Sequence, residues 1–252
     1  MDVNAYLDRI GMKPPQTADA AYLRELHRAH QIAVPFENLS IHLGERITLG
    51  EEELFDKIVR RRRGGFCYEL NGLFAILLEQ LGYRVRRVAV RVFGGERYGP
   101  PFDHLALVVT PADGDEPWLV DIGFGSHTTY PLRFDDRQEQ VDPAGRYRLA
   151  DAPEGDVELF KDGQRVHLIE RRARDLDEFR PTCWYQQTSP DSHFTRGDVC
   201  TRLDEDGRIT ISGRKLIRTG AGGRTETPLE GDEAVLRAYR EHFGVVLDRV
   251  PG

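Results

Sequence analysis

The chain has 252 residues, 39% hydrophobic and 31% charged, enough for one large domain or two to three small ones with a packed core. Its net charge of −7 provides no basic field for nucleic acid or an anionic membrane, so an anionic ligand would need a local arginine cluster. No apolar run approaches the ~20 residues that span a bilayer, the opening Met1-Asp2-Val3-Asn4-Ala5-Tyr6 has no signal-peptide character, and the cysteines Cys67, Cys183 and Cys200 make no disulfide framework; a cytoplasmic protein is expected.

The first third reads as helical. Ala5 to Ile10 is a short amphipathic segment stopped by Gly11 and Pro14-Pro15. A second helix is predicted from about Thr17, as N-cap, to His30, with Tyr22, Leu23, Leu26 and Ala29 on one face. Val34-Pro35-Phe36-Glu37-Asn38-Leu39 is extended or turning, because Pro35 disfavours helix at Val34; Phe36 would pack and Asn38 cap a turn. From Gly50 to Val59, acids lead and Arg60 to Arg63 follow, an order that complements a helix dipole. Most of those arginines suit a solvated helix end, whereas Arg63, nearest the glycines, is expected to bond inward.

The segment Arg63-Gly64-Gly65-Phe66-Cys67-Tyr68-Glu69 then opens a strong helix. Leu70, Leu73, Phe74, Leu77, Leu78 and Leu81 share one face, and Gly82 can take the left-handed position that ends it. Cys67 is thus expected at a helix N-terminus, behind a loop that bends at Gly64-Gly65, where free N–H groups and the dipole stabilise an anion. Taken alone, it reads first as a free cysteine packed as a small hydrophobe, the commoner fate of that residue.

Beyond Gly82 the period changes to two. Val88, Val90 and Val92 alternate with Arg87, Ala89 and Arg91 as a half-exposed strand. His104 opens a buried strand, and Trp118 to Ile122 returns from the turn at Pro111-Ala112-Asp113-Gly114. A register placing His104 opposite Asp121 would leave a four-residue loop and bring imidazole and carboxylate to one face. Asp162-Gly163 and Asp206-Gly207 predict two further hairpins, and Arg171 to Arg180 a solvated connection. A helix from Asp232 to Phe243, stopped by Gly244, closes the chain.

A cysteine at a helix N-terminus with a histidine and an aspartate on one hairpin is the arrangement of thiol acyl chemistry: nucleophile, proton shuttle and orienting carboxylate. Singly, His104 could be a core histidine and Asp121 a turn cap. The cysteines and eight histidines show no paired ligand spacing, so no metal is expected.

The string around Cys67, the His104-Leu105 strand, Val120-Asp121-Ile122-Gly123-Phe124-Gly125, Tyr6 to Gly11, Val34 to Leu39 and Ser192 to Thr195 together resemble the arylamine N-acetyltransferase family, over roughly residues 5 to 200. The resemblance implies an α+β fold in three parts: an N-terminal helical bundle (1–84) carrying the cysteine, a central antiparallel β-barrel (85–197) carrying histidine and aspartate, and a short C-terminal α/β lid (198–252), with a cysteine-protease or transglutaminase-like core. It implies ping-pong transfer from acetyl-CoA through acetyl-Cys67 to an arylamine, arylhydrazine or arylhydroxylamine. Cys67, His104 and Asp121 would be catalytic; Phe36, Phe124 and Phe194 would line the acceptor pocket; and Gly123, Gly125 and Phe194 would lie near CoA. Ordinary core packing is the other reading of each phenylalanine.

Two departures from the family pattern bear on specificity. The chain stops soon after Phe243, which would leave the lid short and the CoA cleft open. Asp103 before the histidine would favour a cationic or strongly donating amine. The alternative that keeps the triad is an ansamycin-type amide synthase taking its acyl group from an acyl carrier protein. A thiol hydrolase and a non-catalytic binding module fit the motifs less well.

Overall fold

The computed structural model describes residues 1–252. Helices α1 (Val3–Arg9) and α2 (Ala20–Ala33) start later or earlier than their apolar faces suggest, because acids select the boundaries. Asp2 caps α1 by accepting the Ala5 N–H at 3.0 Å, and Asp19 rather than Thr17 caps α2 by accepting the Tyr22 N–H at 2.7 Å. Strand β1 (Phe36–Glu37) and the single turn α3 (Leu39–His42) follow Pro35. Helix α4 (Glu51–Phe55) runs directly into a π-helical turn, Asp56–Arg60, which turns Lys57 inward, to 6% exposure.

Helix α5 (Cys67–Gln80) begins on the cysteine itself. The apolar stripe predicts one buried face, yet every residue from Cys67 to Ala75 is buried. The bundle covers one side and the barrel the other, so the polar residues Glu69 and Asn71 are interior groups with internal partners. Gly82, at φ 97°, ends the helix, and Tyr83 N–H returns to the Leu78 carbonyl at 3.0 Å.

The barrel is an eight-stranded antiparallel sheet. Its strands are β2 (Arg84–Val92), β3 (His104–Thr110), β4 (Trp118–Val120), β5 (Leu132–Arg133), β6 (Gln140–Asp142), β7 (Gly145–Asp151), β8 (Val157–Lys161) and β9 (Gln164–Arg174), in the order β5-β4-β3-β2-β9-β8-β7-β6. Side chains complete the closure between the end strands. Gln140 exchanges two hydrogen bonds with the Arg133 backbone, and Asp142 accepts the N–H groups of Thr129 and Tyr130. Val88, Ala89 and Val90 are all fully buried, so the centre of β2 is covered on both faces. Ala89 meets the helical core while Val88 and Val90 fill the barrel with Leu149, Leu159 and Ile169. Arg171–Arg174, predicted as a connection, extends β9.

After α6 (Arg180–Thr188) the last part pairs β10 (Val199–Asp204), β11 (Gly207–Ser212), β12 (Lys215–Gly220) and β13 (Gly223–Pro228), and α7 (Gly231–Phe243) packs on them through Val235, Tyr239 and Phe243. β1 is the fifth strand of this sheet, with Phe36 opposite Thr201 and Glu37 opposite Cys200. The N-terminal part is thereby tied to the C-terminal part at the residues flanking the cysteine loop. No helix is long and apolar enough to cross a membrane.

Candidate active site

The loop into Cys67 is fixed by close backbone approach. Neither Gly64 nor Gly65 takes a positive φ; the left-handed residue is Arg62, at φ 54°. A β-carbon on Gly64 would stand 1.9 Å from the Pro35 carbonyl oxygen, and one on Gly65 would stand 2.7–2.9 Å from the Glu69 side chain. The glycines let the loop lie against β1, where Glu37 N–H donates to the Gly65 carbonyl at 2.9 Å. Arg63 does turn inward: it is 5% exposed and pairs with Glu37 at 2.9 Å.

His104 and Asp121 meet, by a route that differs from the predicted one. The observed register pairs Leu107 with Val120, Val108 with Leu119 and Val109 with Trp118, two residues from the expected alignment. The expected register would place Pro117, which has no N–H, inside the ladder; the observed one leaves it just outside β4 with a longer loop. Because side chains alternate with period two, a two-residue slip keeps Asp121 on the face of His104. Asp121 lies just past β4, and its Oδ2 accepts from His104 Nε2 at 2.8 Å. Both residues are at most 3% exposed.

That bond occupies Nε2, and Cys67 is the other group that acts on the ring, favouring its charged form. Burial opposes a charged imidazole, but Asp121 and Cys67 outweigh it and push His104 up to about 10. Burial likewise opposes the carboxylate, and the His104 charge holds Asp121 far below the usual carboxylate range.

Two residues that support this pair were not read from the sequence. Asn71, one turn along α5 from Cys67, donates to Asp121 Oδ1 at 2.9 Å and to the Leu105 carbonyl at 2.6 Å, and accepts the Ile122 N–H. Its signal was present: a polar residue four positions after the cysteine, on the same side of a helix that is apolar elsewhere. His27 on α2 bonds the Thr129 carbonyl through Nδ1, which leaves Nε2 to accept the Asp121 backbone N–H at 3.3 Å. No periodicity marks His27, because its partners lie 94 and 102 residues away.

A cavity of about 550 Å³ opens over Cys67. Phe36, His104, Gly123, Phe124 and Phe194 line it. Phe36 and Phe194 rings are 6.3 Å apart, and Phe124 meets His104 edge-on at 5.3 Å. Gly123 is required by proximity, since a β-carbon there would lie 2.8 Å from Cys67 Cα. Gly125, at φ 82°, packs against the Phe36 ring and is not part of the lining. Asn38 stands at the N-cap position of α3, but its side chain makes no cap bond there, contrary to the turn-capping expectation. It donates to the carbonyls of Phe194 and Gly197 and accepts from Val199 N–H, which fixes the Phe194 segment over Cys67.

Behind His104 the barrel holds a column of imidazoles. His167 stacks on His104 at 5.4 Å and on His127 at 5.0 Å. Burial is the main cause that depresses all the supporting histidines: His27 falls below 6.5, His127 falls to about 4, and His30 and His167 fall well below the ordinary range. The folded chain keeps them neutral where the unfolded chain protonates near 6.5. Stability is therefore lost as pH falls below about 6.5, by up to about 1.4 kcal/mol per pH unit for each histidine. His104 adds nothing to that slope, because it is charged in both states there. Thermal melts should show Tm dropping steadily from pH 6.5 to 4.5, with a shallower drop for His127→Phe; a flat Tm over that range would refute the assignment.

A family model described as N-acetyltransferase matches residues 19–250. The arylamine N-acetyltransferase of Mycobacterium tuberculosis is 36% identical over 97% of this chain and 89% of its own length. The arylamine N-acetyltransferase / N-hydroxyarylamine O-acetyltransferase of Salmonella typhimurium is 34% identical over 98% and 90%. Among solved structures, the Mycobacterium marinum arylamine N-acetyltransferase in complex with CoA superposes with a TM-score of 0.88 at 35% identity, covering 97% of this chain and 93% of the other. With the helical bundle, the barrel and the cysteine loop on the same chain, these matches establish that the protein belongs to the arylamine N-acetyltransferase family.

Proposed function

We propose that this enzyme N-acetylates arylamines, arylhydrazines or arylhydroxylamines from acetyl-CoA through an acetyl-Cys67 thioester. The observation that carries this reading is the buried His104–Asp121 pair at 2.8 Å, which shares one aromatic-lined cavity with Cys67 at the start of α5. Cys67 Sγ attacks the thioester carbonyl of acetyl-CoA, supported by the imidazolium beside it. The first N–H groups of α5, which lack intrahelical partners, are placed to stabilise the tetrahedral oxyanion. The C–S bond to CoA breaks and His104 gives its proton to the departing thiol. The acceptor nitrogen then attacks acetyl-Cys67, neutral His104 takes the nitrogen's proton, and the Cys67 sulfur leaves as the anion it began as.

Asp121 orients the imidazole and supports its charge in both halves of the cycle. Phe36, Phe124 and Phe194 offer apolar faces for a flat aromatic acceptor. Gly123 and Phe194 line the cavity beside Cys67 where the CoA thioester must reach the sulfur, whereas Gly125 acts at one remove, by seating Phe36. The three-part division 1–84, 85–197 and 198–252 separates the cysteine, the histidine–aspartate pair and the C-terminal sheet and helix, of which Val199 lines the cavity. The amide-synthase alternative is not favoured, since the relatives above carry the acetyltransferase name.

Intact mass after mixing with acetyl-CoA tests the reading. One acetyl group on Cys67, lost when 4-aminobenzoate or 5-aminosalicylate is added, is the expected result. No adduct, with no CoA released in the presence of amine, would sink it.

A further inference from the structure

The cavity wall beside His104 carries a carboxylate that the transfer steps leave unused. Asp103 immediately precedes β3 and lines the cavity together with His104. It is mounted from two sides. Its backbone carbonyl accepts the Tyr68 hydroxyl at 3.0 Å, and its Oδ1 accepts Gln186 Nε2 at 3.0 Å. Gln186 Oε1 in turn accepts the Ser192 hydroxyl, whose oxygen accepts the Phe194 N–H at 3.2 Å. This chain sets the carboxylate in fixed relation to Phe194. The second oxygen, Oδ2, meets no side-chain donor and lies against Gly99, where a β-carbon would stand 2.1 Å from it; the Val92 backbone is the other group that favours the ionised carboxyl from this side.

Burial raises the Asp103 carboxyl above its ordinary pKa, and the nearby His104 charge is the largest influence favouring its ionised form. Glu96 and Arg97 are exposed, of opposite sign, and offset each other. His193 is held below its ordinary pKa by burial and stays neutral. The charge on His104 is already matched by Asp121.

We propose that Asp103 is a specificity-determining residue for the acceptor: Oδ2 takes an additional N–H or O–H donor from the incoming amine, and its charge disfavours acceptors that carry a carboxylate. The inference rests on the acetyl-transfer reading above. A charge-assisted bond is about twice as strong as a neutral one, and repulsion between like charges is felt more strongly in a half-buried cavity than in water.

The experiment partitions acetyl-enzyme, formed with acetyl-CoA on the full chain, between 3- and 4-aminobenzoate and the corresponding aminobenzamides. Acid and amide match in shape, and the amide exchanges the charge for N–H donors. Both acceptors meet the same acetyl-enzyme, so any change in Cys67 acylation cancels from the ratio. The wild type is expected to favour the amides. Asp103→Asn keeps an oxygen for Gln186 and should shift the ratio about tenfold toward the acids, whereas Asp103→Glu should keep the preference. A merely structural role would slow both acceptors alike. A ratio in Asp103→Asn within about twofold of the wild type overturns the inference, as does a wild-type preference for the acids, which needs no variant to fold. Failure of the wild type to form acetyl-enzyme would overturn the transfer reading itself and this inference with it; an acetyl-enzyme with an unmoved ratio overturns only the role of Asp103.

Discussion

Cys67→Ser is expected to form no acetyl-enzyme and to lose turnover by about 10⁴-fold or more, with the fold intact. Serine fills the same buried space at the start of α5, so packing changes little. The chemistry changes because a hydroxyl next to an imidazolium is a far weaker nucleophile than a thiolate at neutral pH. His104→Ala should be comparably severe, since it removes both the charge beside the sulfur and the proton shuttle. Asp121→Asn keeps the volume but removes the charge that holds His104 protonated, and about 10³-fold loss is expected. Stopped-flow release of CoA with and without acceptor separates the two half-reactions for each variant. Alkylation by iodoacetamide gives an independent reading. Burial pushes the Cys200 thiol well up and raises Cys183 as well, so Cys67 should be modified first. Turnover near the wild-type rate in Cys67→Ser, or equal alkylation of the three cysteines, would refute the assignment of the nucleophile.

The parts of this site that sequence revealed are those carried by local pattern. The leucine spacing and Gly82 located α5, and with it the position of Cys67 at a helix start. Continuous apolar runs on either side of the Pro111–Gly114 turn located β3 and β4, and the chemical types of His104 and Asp121 did the rest. Register was not legible, because it depends on how Pro117 fits the ladder; the period of two preserved the functional conclusion despite the slip. Three kinds of feature stayed hidden. Strands β6, β12 and β13 have weak or no apolar alternation, and β13 is exposed along its whole length. Lys57 reads as a surface lysine until the π-helical turn rotates it inward. Asn71, His27 and Asn38 act through partners more than 30 residues away; of the three, only Asn71 leaves a local trace, as a polar residue one turn after Cys67.

The ions beneath the cysteine loop should produce the largest effects on stability. Arg63 pairs with Glu37 at 2.9 Å and Lys57 with Glu69 at 2.7 Å, and none of the four side chains exceeds 7% exposure. Burial alone would raise the Glu37 carboxyl, but Lys57 and Arg63 outweigh it and hold it below the ordinary range. Glu69 is left above that range, because burial and the nearby Glu37 charge exceed what Lys57 supplies. Each acid also serves the backbone: Glu37 Oε2 accepts the Leu39 N–H at 2.7 Å and Glu69 Oε2 the Phe66 N–H at 3.2 Å. Removing one partner strands a charge in the interior, which costs about 3–5 kcal/mol, a large share of the 5–15 kcal/mol that holds a typical domain together. Glu37→Leu should therefore unfold at much lower urea concentration than the wild type. Arg63→Met combined with Glu37→Leu should recover most of the loss, since no charge remains unpaired in that pair. Glu37→Gln, which keeps the shape and the bond to Leu39, should fall between them and remain folded enough to assay. Its acetyl-transfer rate then reports whether the pair also positions Cys67 through the Gly65 carbonyl. Urea midpoints for the single and double variants close a thermodynamic cycle. A coupling energy below about 1 kcal/mol would mean that the loop is held by the glycine contacts and β1 alone, and that the buried ions are incidental to it.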